Sequence, residues 1–165
     1  MKDKVKYYLS NGWIWVLIVV ISFGVWGLAF YWMSRPSADL TVQFWIGSDD
    51  WLTKEDRLAI EDIAGDYGME ECTFGVYNPT DGMYAQAFGV KATSIDVFVL
   101  SREEALALAE FGLFANLDGY DEVLDYDGTA IGIEVGDDMY MLLNSDSYET
   151  RKTLLDGILA YFAEK

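Results

Sequence analysis

Apolar residues fall into one unbroken run followed by a series of short ones. The run, residues 13–33, holds 21 residues and no charge. As a helix it is about 31 Å long, enough for a hydrocarbon core of roughly 30 Å. Trp13 and Trp15 at one end, and Tyr31 and Trp32 at the other, suit the headgroup interfaces. All its faces are apolar, which argues against an amphipathic core helix. Lys2, Lys4 and Lys6 precede it and only Arg35 follows closely. The positive-inside rule therefore places the N-terminus in the cytoplasm. A cleaved signal peptide is the rival reading, with residues 36–38 as its cleavage site, but its apolar core would be roughly 7–15 residues. The expected organisation is a cytoplasmic N-terminus (1–12), a transmembrane helix (13–33), a linker (34–39) and an extracytoplasmic domain (40–165). The lipid bilayer is thus an expected partner, and the cell membrane, crossed once, the expected location.

From residue 40 the pattern changes to short elements. Residues 40–46 (LTVQFWI) are rich in β-branched and aromatic side chains and predict a strand. After a loop, Thr53 with Glu55 and Asp56 predicts a helix start. Ala59, Ile60, Ile63, Ala64 and Tyr67 keep helical spacing, and Gly68 suits the C-terminal cap. A second strand is expected within residues 71–77. Asn78-Pro79 opens another helix, carried by Tyr84, Ala87 and Phe88 and weakened by Gly82 and Gly89. Residues 95–100 (IDVFVL) are nearly all apolar, the mark of a strand covered on both faces. Ser101-Arg102-Glu103-Glu104 is a capping box, so a helix follows at once, with Leu106, Ala109 and Leu113 inward. Residues 119–128 are acidic and read as irregular chain. Residues 131–135 and 139–143 flank Gly136-Asp137-Asp138, a hairpin signal, with Met139 and Met141 inward. Asp146 or Ser147 caps a last helix with the stripe Leu154, Leu155, Ile158, Leu159 and Phe162. The order βαβαβα, hairpin, α predicts a mostly parallel sheet between two helical layers, an α/β fold of αβα type.

Charge narrows the function classes. The chain has 165 residues and net charge −17. Beyond Arg35 stand seven basic and 27 acidic residues, so that part carries −20. Such a surface excludes nucleic acid as a partner and opposes lying on anionic lipid. There is no histidine and a single cysteine, Cys72. Ser-His-Asp, Cys-His and His–metal chemistry are excluded, as are an internal disulfide and a multi-cysteine metal site. Cys72 is expected to be a small buried apolar residue in or beside a strand. Asp125, Asp127, Gly128 and Glu134 match part of a calcium loop, but Val123 occupies the first ligand position, so they read as turn residues. Neighbouring carboxylates such as Glu103-Glu104 point apart and make poor acid–base pairs. No metal, cofactor or catalytic residue is expected, and the chain reads as a non-enzyme.

Residues 95–118 (IDVFVLSREEALALAEFGLFANLD) resemble the extracellular, sugar-type solute-binding proteins of bacterial ABC transporters. Asp96-Val97-Phe98 matches that family's strand before a helix, and Gly112-Leu113-Phe114 through Leu117-Asp118 its "G-L-L-x-x-L-D" tail. Residues 40–51 resemble its first strand with a Trp-containing loop, residues 127–133 its approach to the hinge, and residues 147–162 a late helix. The resemblance implies one periplasmic-binding-protein-like lobe, where family members close two. It also implies a small solute such as a sugar as ligand, and a transporter permease or another binding protein as partner.

In doubly wound sheets, ligands sit at the C-terminal ends of the strands. Here that edge holds Trp45, Ser48, Asp49, Asp50, Trp51, Asn78, Ser101 and Arg102. Trp45 and Trp51 would stack on a sugar face, and Asp49 and Asp50 would accept its hydroxyl hydrogens. The competing reading puts Trp45 in the core and the acids at the cap of the helix near Thr53. The expected function is a membrane-anchored solute-binding-protein-like domain beside an ABC transporter; the alternative is a structural or sensor-like module of the envelope.

Overall fold

The computed structural model describes residues 2–48, 51–78, 84–120, 123–136 and 138–163, with their side chains from residue 12 to 162. Two compact units emerge, Met1–Ser37 and Ala38–Lys165. The first is one helix, α1 (Lys2–Met33). Its stretch Gly12–Met33 is long and apolar enough to cross a membrane. At its end the Arg35 guanidinium donates to the Tyr31 hydroxyl (2.6 Å) and lies over that ring, a cation–π contact.

The second unit is a six-stranded sheet between helices. Its elements are β1 (Thr41–Ile46), α2 (Lys54–Asp66), β2 (Glu71–Val76), α3 (Tyr84–Lys91), β3 (Val97–Ser101), α4 (Arg102–Ala109), β4 (Val123–Tyr126), β5 (Thr129–Glu134), β6 (Met139–Leu143) and α5 (Ser145–Ala163). The strand order is β2-β1-β3-β6-β5-β4. β1 pairs in parallel with β2 and β3, because a helix carries the chain back between them. The expected mostly parallel sheet is nevertheless mixed. β6 comes from a tight turn, not a crossover, and lies antiparallel to β3 from Val97↔Leu143 to Ser101↔Met139.

Two local expectations need correction. Residues 119–128 are not all irregular: β4 lies within them and pairs with β5. Their turn is Asp127-Gly128, with φ of 52° and 80°, the left-handed pair that hairpin turns need. Acidic composition obscured that dipeptide. The last helix begins at Ser145, and its cap is Asn144, whose Oδ1 accepts from the Asp146 amide (3.0 Å). Neither Asp146 nor Ser147 is the cap, because pairing at the end of β6 holds Asn144: its N–H donates to the Asp96 carbonyl (3.0 Å). The Pro79 helix start lies outside the described residues.

Both faces of the sheet are buried. α2 and α5 cover Val42, Phe44, Ile46, Val97, Val99 and Met141. α3 and α4 cover Trp45, Phe98, Leu100, Leu124 and Leu142. Met139 and Met141 face inward toward α5, while Tyr140 and Leu142 face the other layer. Thr53 and Ser101 each close a capping box. At the start of β1, α5 leaves helical geometry at Arg151 (φ −127°, ψ 28°). The Arg151 guanidinium there donates to the carbonyls of Thr41 (2.7 Å) and Ala38 (3.0 Å) and pairs with Asp96 (3.4 Å). Asp96 is buried and also accepts from the Gln43 amide (2.8 Å).

Candidate functional site

The C-terminal ends of β1, β2 and β3 lie side by side. Gly47 N–H donates to Val99 O and Tyr77 N–H to Ile46 O, both at 2.8 Å, so the ladder runs past the strand ends. The edge is aromatic. Trp45 is 0% exposed, and the Tyr77 ring stacks on it at 3.7 Å and 12°. Tyr84 and Phe88 close its sides edge-on, at 5.4 and 5.6 Å. Glycine makes the stack possible. Gly75 pairs with Trp45 in the sheet, and a Cβ at Gly75 would meet the Tyr77 ring at 2.5 Å, so a side chain there would displace it. Lys91 Nζ donates to the Tyr77 hydroxyl (2.7 Å) and holds the ring down.

Three polar atoms are buried around this cluster. Among the described residues, Trp45 Nε1, the Tyr84 hydroxyl and Glu104 Oε1 are the buried side-chain atoms without a hydrogen bond of ordinary geometry. Glu104 has its other oxygen, Oε2, in the capping box, accepting from the Ser101 hydroxyl (2.7 Å) and amide (3.2 Å). That carboxylate lies against Gly47, whose added Cβ would be 3.1 Å from Oε2. Burial, and then the charge of Glu104, raises the Tyr84 pKa well above the ordinary tyrosine value, so Tyr84 stays a neutral donor. Chemically the cluster offers an indole donor, a phenol that donates or accepts, and a carboxylate acceptor, which is a set for neutral O–H groups.

The residues singled out from the sequence spread around this edge. Trp45 lies beneath Tyr77 in the core. Trp51 is half-buried on the opposite face of the sheet, its ring 4.9 Å from Phe162. The two tryptophans therefore share no platform. Ser48 is half-buried, Asn78 and Arg102 are exposed, and Ser101 is the α4 cap. Asp49 and Asp50 lie outside the described residues. Sequence reasoning passed over Tyr77, Tyr84 and Glu104. Glu104 was visible as a capping residue, but nothing local marks the meeting of the two tyrosines with Trp45. Elsewhere, at the start of β2, a shallow concavity of ≈ 420 Å³ is lined by Glu61, Ala64, Met69, Glu70, Glu71 and Cys72. Cys72 is half-buried in β2 at the margin of the core, less enclosed than expected.

No family model and no curated protein matches the chain. Solved structures do. The GacH receptor of Streptomyces glaucescens, solved unliganded and with acarbose, is 21% identical with a TM-score of 0.42, and the match covers 56% of this chain and 28% of that one. The extracellular solute-binding protein of Staphylococcus aureus with maltose is 13% identical, TM-score 0.42, covering 61% and 28%. An ABC substrate-binding protein of Listeria monocytogenes with cycloalternan is 14% identical, TM-score 0.39, covering 56% and 28%. The chain thus spans less than a third of the length of these proteins. The chain is similar to these three proteins over little more than half of its own length.

Proposed function

We propose that this chain is a membrane-anchored, extracytoplasmic domain of solute-binding-protein type that works beside an ABC transporter by docking on its components. α1 crosses the bilayer with its N-terminus in the cytoplasm, and the acidic unit stands outside. The role is one of contact, without turnover. The observation that carries the docking reading is Trp45. At the strand ends, where a doubly wound sheet offers its ligand platform, this indole is fully buried and covered by Tyr77. A buried ring presents no face to a sugar.

A second reading keeps a small solute such as a sugar as ligand at this edge, on the Trp45 side, with Ser48, Asn78, Ser101 and Arg102 as the candidates there. Trp45 Nε1, the Tyr84 hydroxyl and Glu104 Oε1 favour it, since these buried groups have no hydrogen bond of ordinary geometry and a solute's hydroxyls would supply one. One experiment separates the two. The full chain is purified from native membranes and its melting is followed with maltose and other oligosaccharides. Docking predicts transporter subunits in the purified material and no shift with any sugar. A saturable shift that Glu104→Gln weakens establishes the solute reading instead. A structural or sensor-like envelope module is left if neither subunits nor shift is found.

A further inference from the structure

We propose that the outer edge of β2 takes an extended, basic segment of a partner protein as an added strand, an inference that rests on the docking reading. β2 stands last in the strand order, and among the described residues it pairs with β1 alone. An edge strand leaves one row of its N–H and C=O groups without a strand partner, a template for another chain. The side chains are open on the same edge. Cys72, Phe74 and Val76 alternate on the face toward α2, and all three are only half-buried against the core. Their register partners in β1, Val42, Phe44 and Ile46, are buried. A strand added outside β2 would cover β2 as β2 covers β1.

The two edges of the sheet differ. β4, at the other edge, has four residues and a register shift between Leu124 and Asp125, a bulge that spoils further pairing. β2 has six residues in unbroken register with β1, from Glu71 to Val76. It contains neither proline nor lysine, the usual guards of an edge. Charge selects the occupant. Glu61, Glu70 and Glu71 are exposed around the ≈ 420 Å³ concavity at the start of β2, and the part beyond Arg35 carries −20. A second copy or an acidic segment is repelled there, whereas lysine and arginine are drawn in. Farther along the strand, the Arg57 guanidinium lies over the Phe74 ring at 5.5 Å. The basic residues of the incoming segment therefore belong at the Glu71 end, and its apolar ones beside Phe74 and Val76.

The test uses the full chain in detergent and a short synthetic peptide, two lysines followed by alternating valine and threonine. When it binds, amide hydrogen exchange should slow across residues 71–76 and stay unchanged across residues 123–126. A backbone-N-methylated copy keeps the charge but cannot pair, and it should not bind. A copy with glutamates in place of the lysines should bind about tenfold more weakly. Glu61→Lys combined with Glu71→Lys, at two exposed positions, should weaken the lysine peptide by a similar factor. Equal binding of the N-methylated copy, or unchanged exchange across residues 71–76, overturns the proposal. Copurification from native membranes separates it from the docking reading. Transporter subunits that accompany the parent and the paired Lys variant alike overturn the β2 edge and leave docking standing. Subunits lost with the variant support both. A parent without subunits overturns docking, and the exchange measurement then decides for the edge alone.

Discussion

The two helical layers close the same sheet by different means. α2 and α5, 13 and 19 residues long, lay mainly aliphatic stripes on a face that also holds Phe44, and they carry charge outside. Polar ties knit them together. Buried Asp56 accepts from the Thr53 amide and hydroxyl and from the Tyr161 hydroxyl (2.9 Å), joining α2 to α5. Tyr120 and Tyr148 both donate to one oxygen of Asp156, at 3.0 and 2.9 Å. α3 and α4 have eight residues each and cover less sheet. Aromatic rings fill the difference, and three buried polar atoms there lack a hydrogen bond of ordinary geometry. A long amphipathic helix can seal a face and solvate it at once. Two short, weakly charged helices need large rings beneath them and leave apolar residues outside.

Trp45→Ala should break this contrast most severely. Removing the ring at the centre of the aromatic cluster should cost about 3–5 kcal/mol, read by urea denaturation of the full chain. A loss below about 1 kcal/mol, within the range of a surface substitution, would mean that the aromatic layer is not a packed core. Arg151→Met tests the opposite layer. It leaves the Asp96 carboxylate buried without its cation, at a cost of about 3 kcal/mol. Adding Asp96→Asn should recover part of that loss, and strict additivity of the two would show that the pair is not coupled.

Cys72 provides the smallest effect and the finest probe of the sheet edge. Burial first, then the charges of Glu61, Asp96 and Glu71, push its thiol up to about 11 from an ordinary 9.0. The neutral form is favoured, so iodoacetamide at pH 8 should react about a hundredfold more slowly than with a free thiol. The sign for stability follows from the same shift. The raised pKa contributes stability that is complete below pH 9 and is lost as pH rises toward 11. Alkylation at the rate of free cysteine would place Cys72 in open solvent.

What was legible depended on range. The Ser101 capping box uses residues three apart and formed as read; Thr53 caps α2 as read, and Asp56 three residues on closes a box there too. The apolar run into β3 announced a strand buried on both faces, and Val97 to Leu100 are buried. β4 escaped because its inward position, Leu124, stands between exposed Val123 and Asp125, too short an alternation to register. Asn144 escaped as a cap because its place is set by pairing with Asp96, far away along the chain. The strand-end residues were located by topology, but which of them face one another was not. Trp45 and Trp51 looked like partners at six residues' separation and lie on opposite faces of the sheet.

By itself, the order of residues determined the apolar span of α1, the sign and size of the charge, the absence of histidine chemistry and the alternation of strands with helices. Each follows from composition or from neighbours within a turn or two. Only the tertiary structure decided where β6 inserts, that Tyr77 lies over Gly75 and covers Trp45, and that Glu104 meets Tyr84 at the same edge. Apart from Tyr77 and Gly75, which are neighbours in the chain, those contacts join residues far apart in sequence, where packing, not local propensity, selects one arrangement.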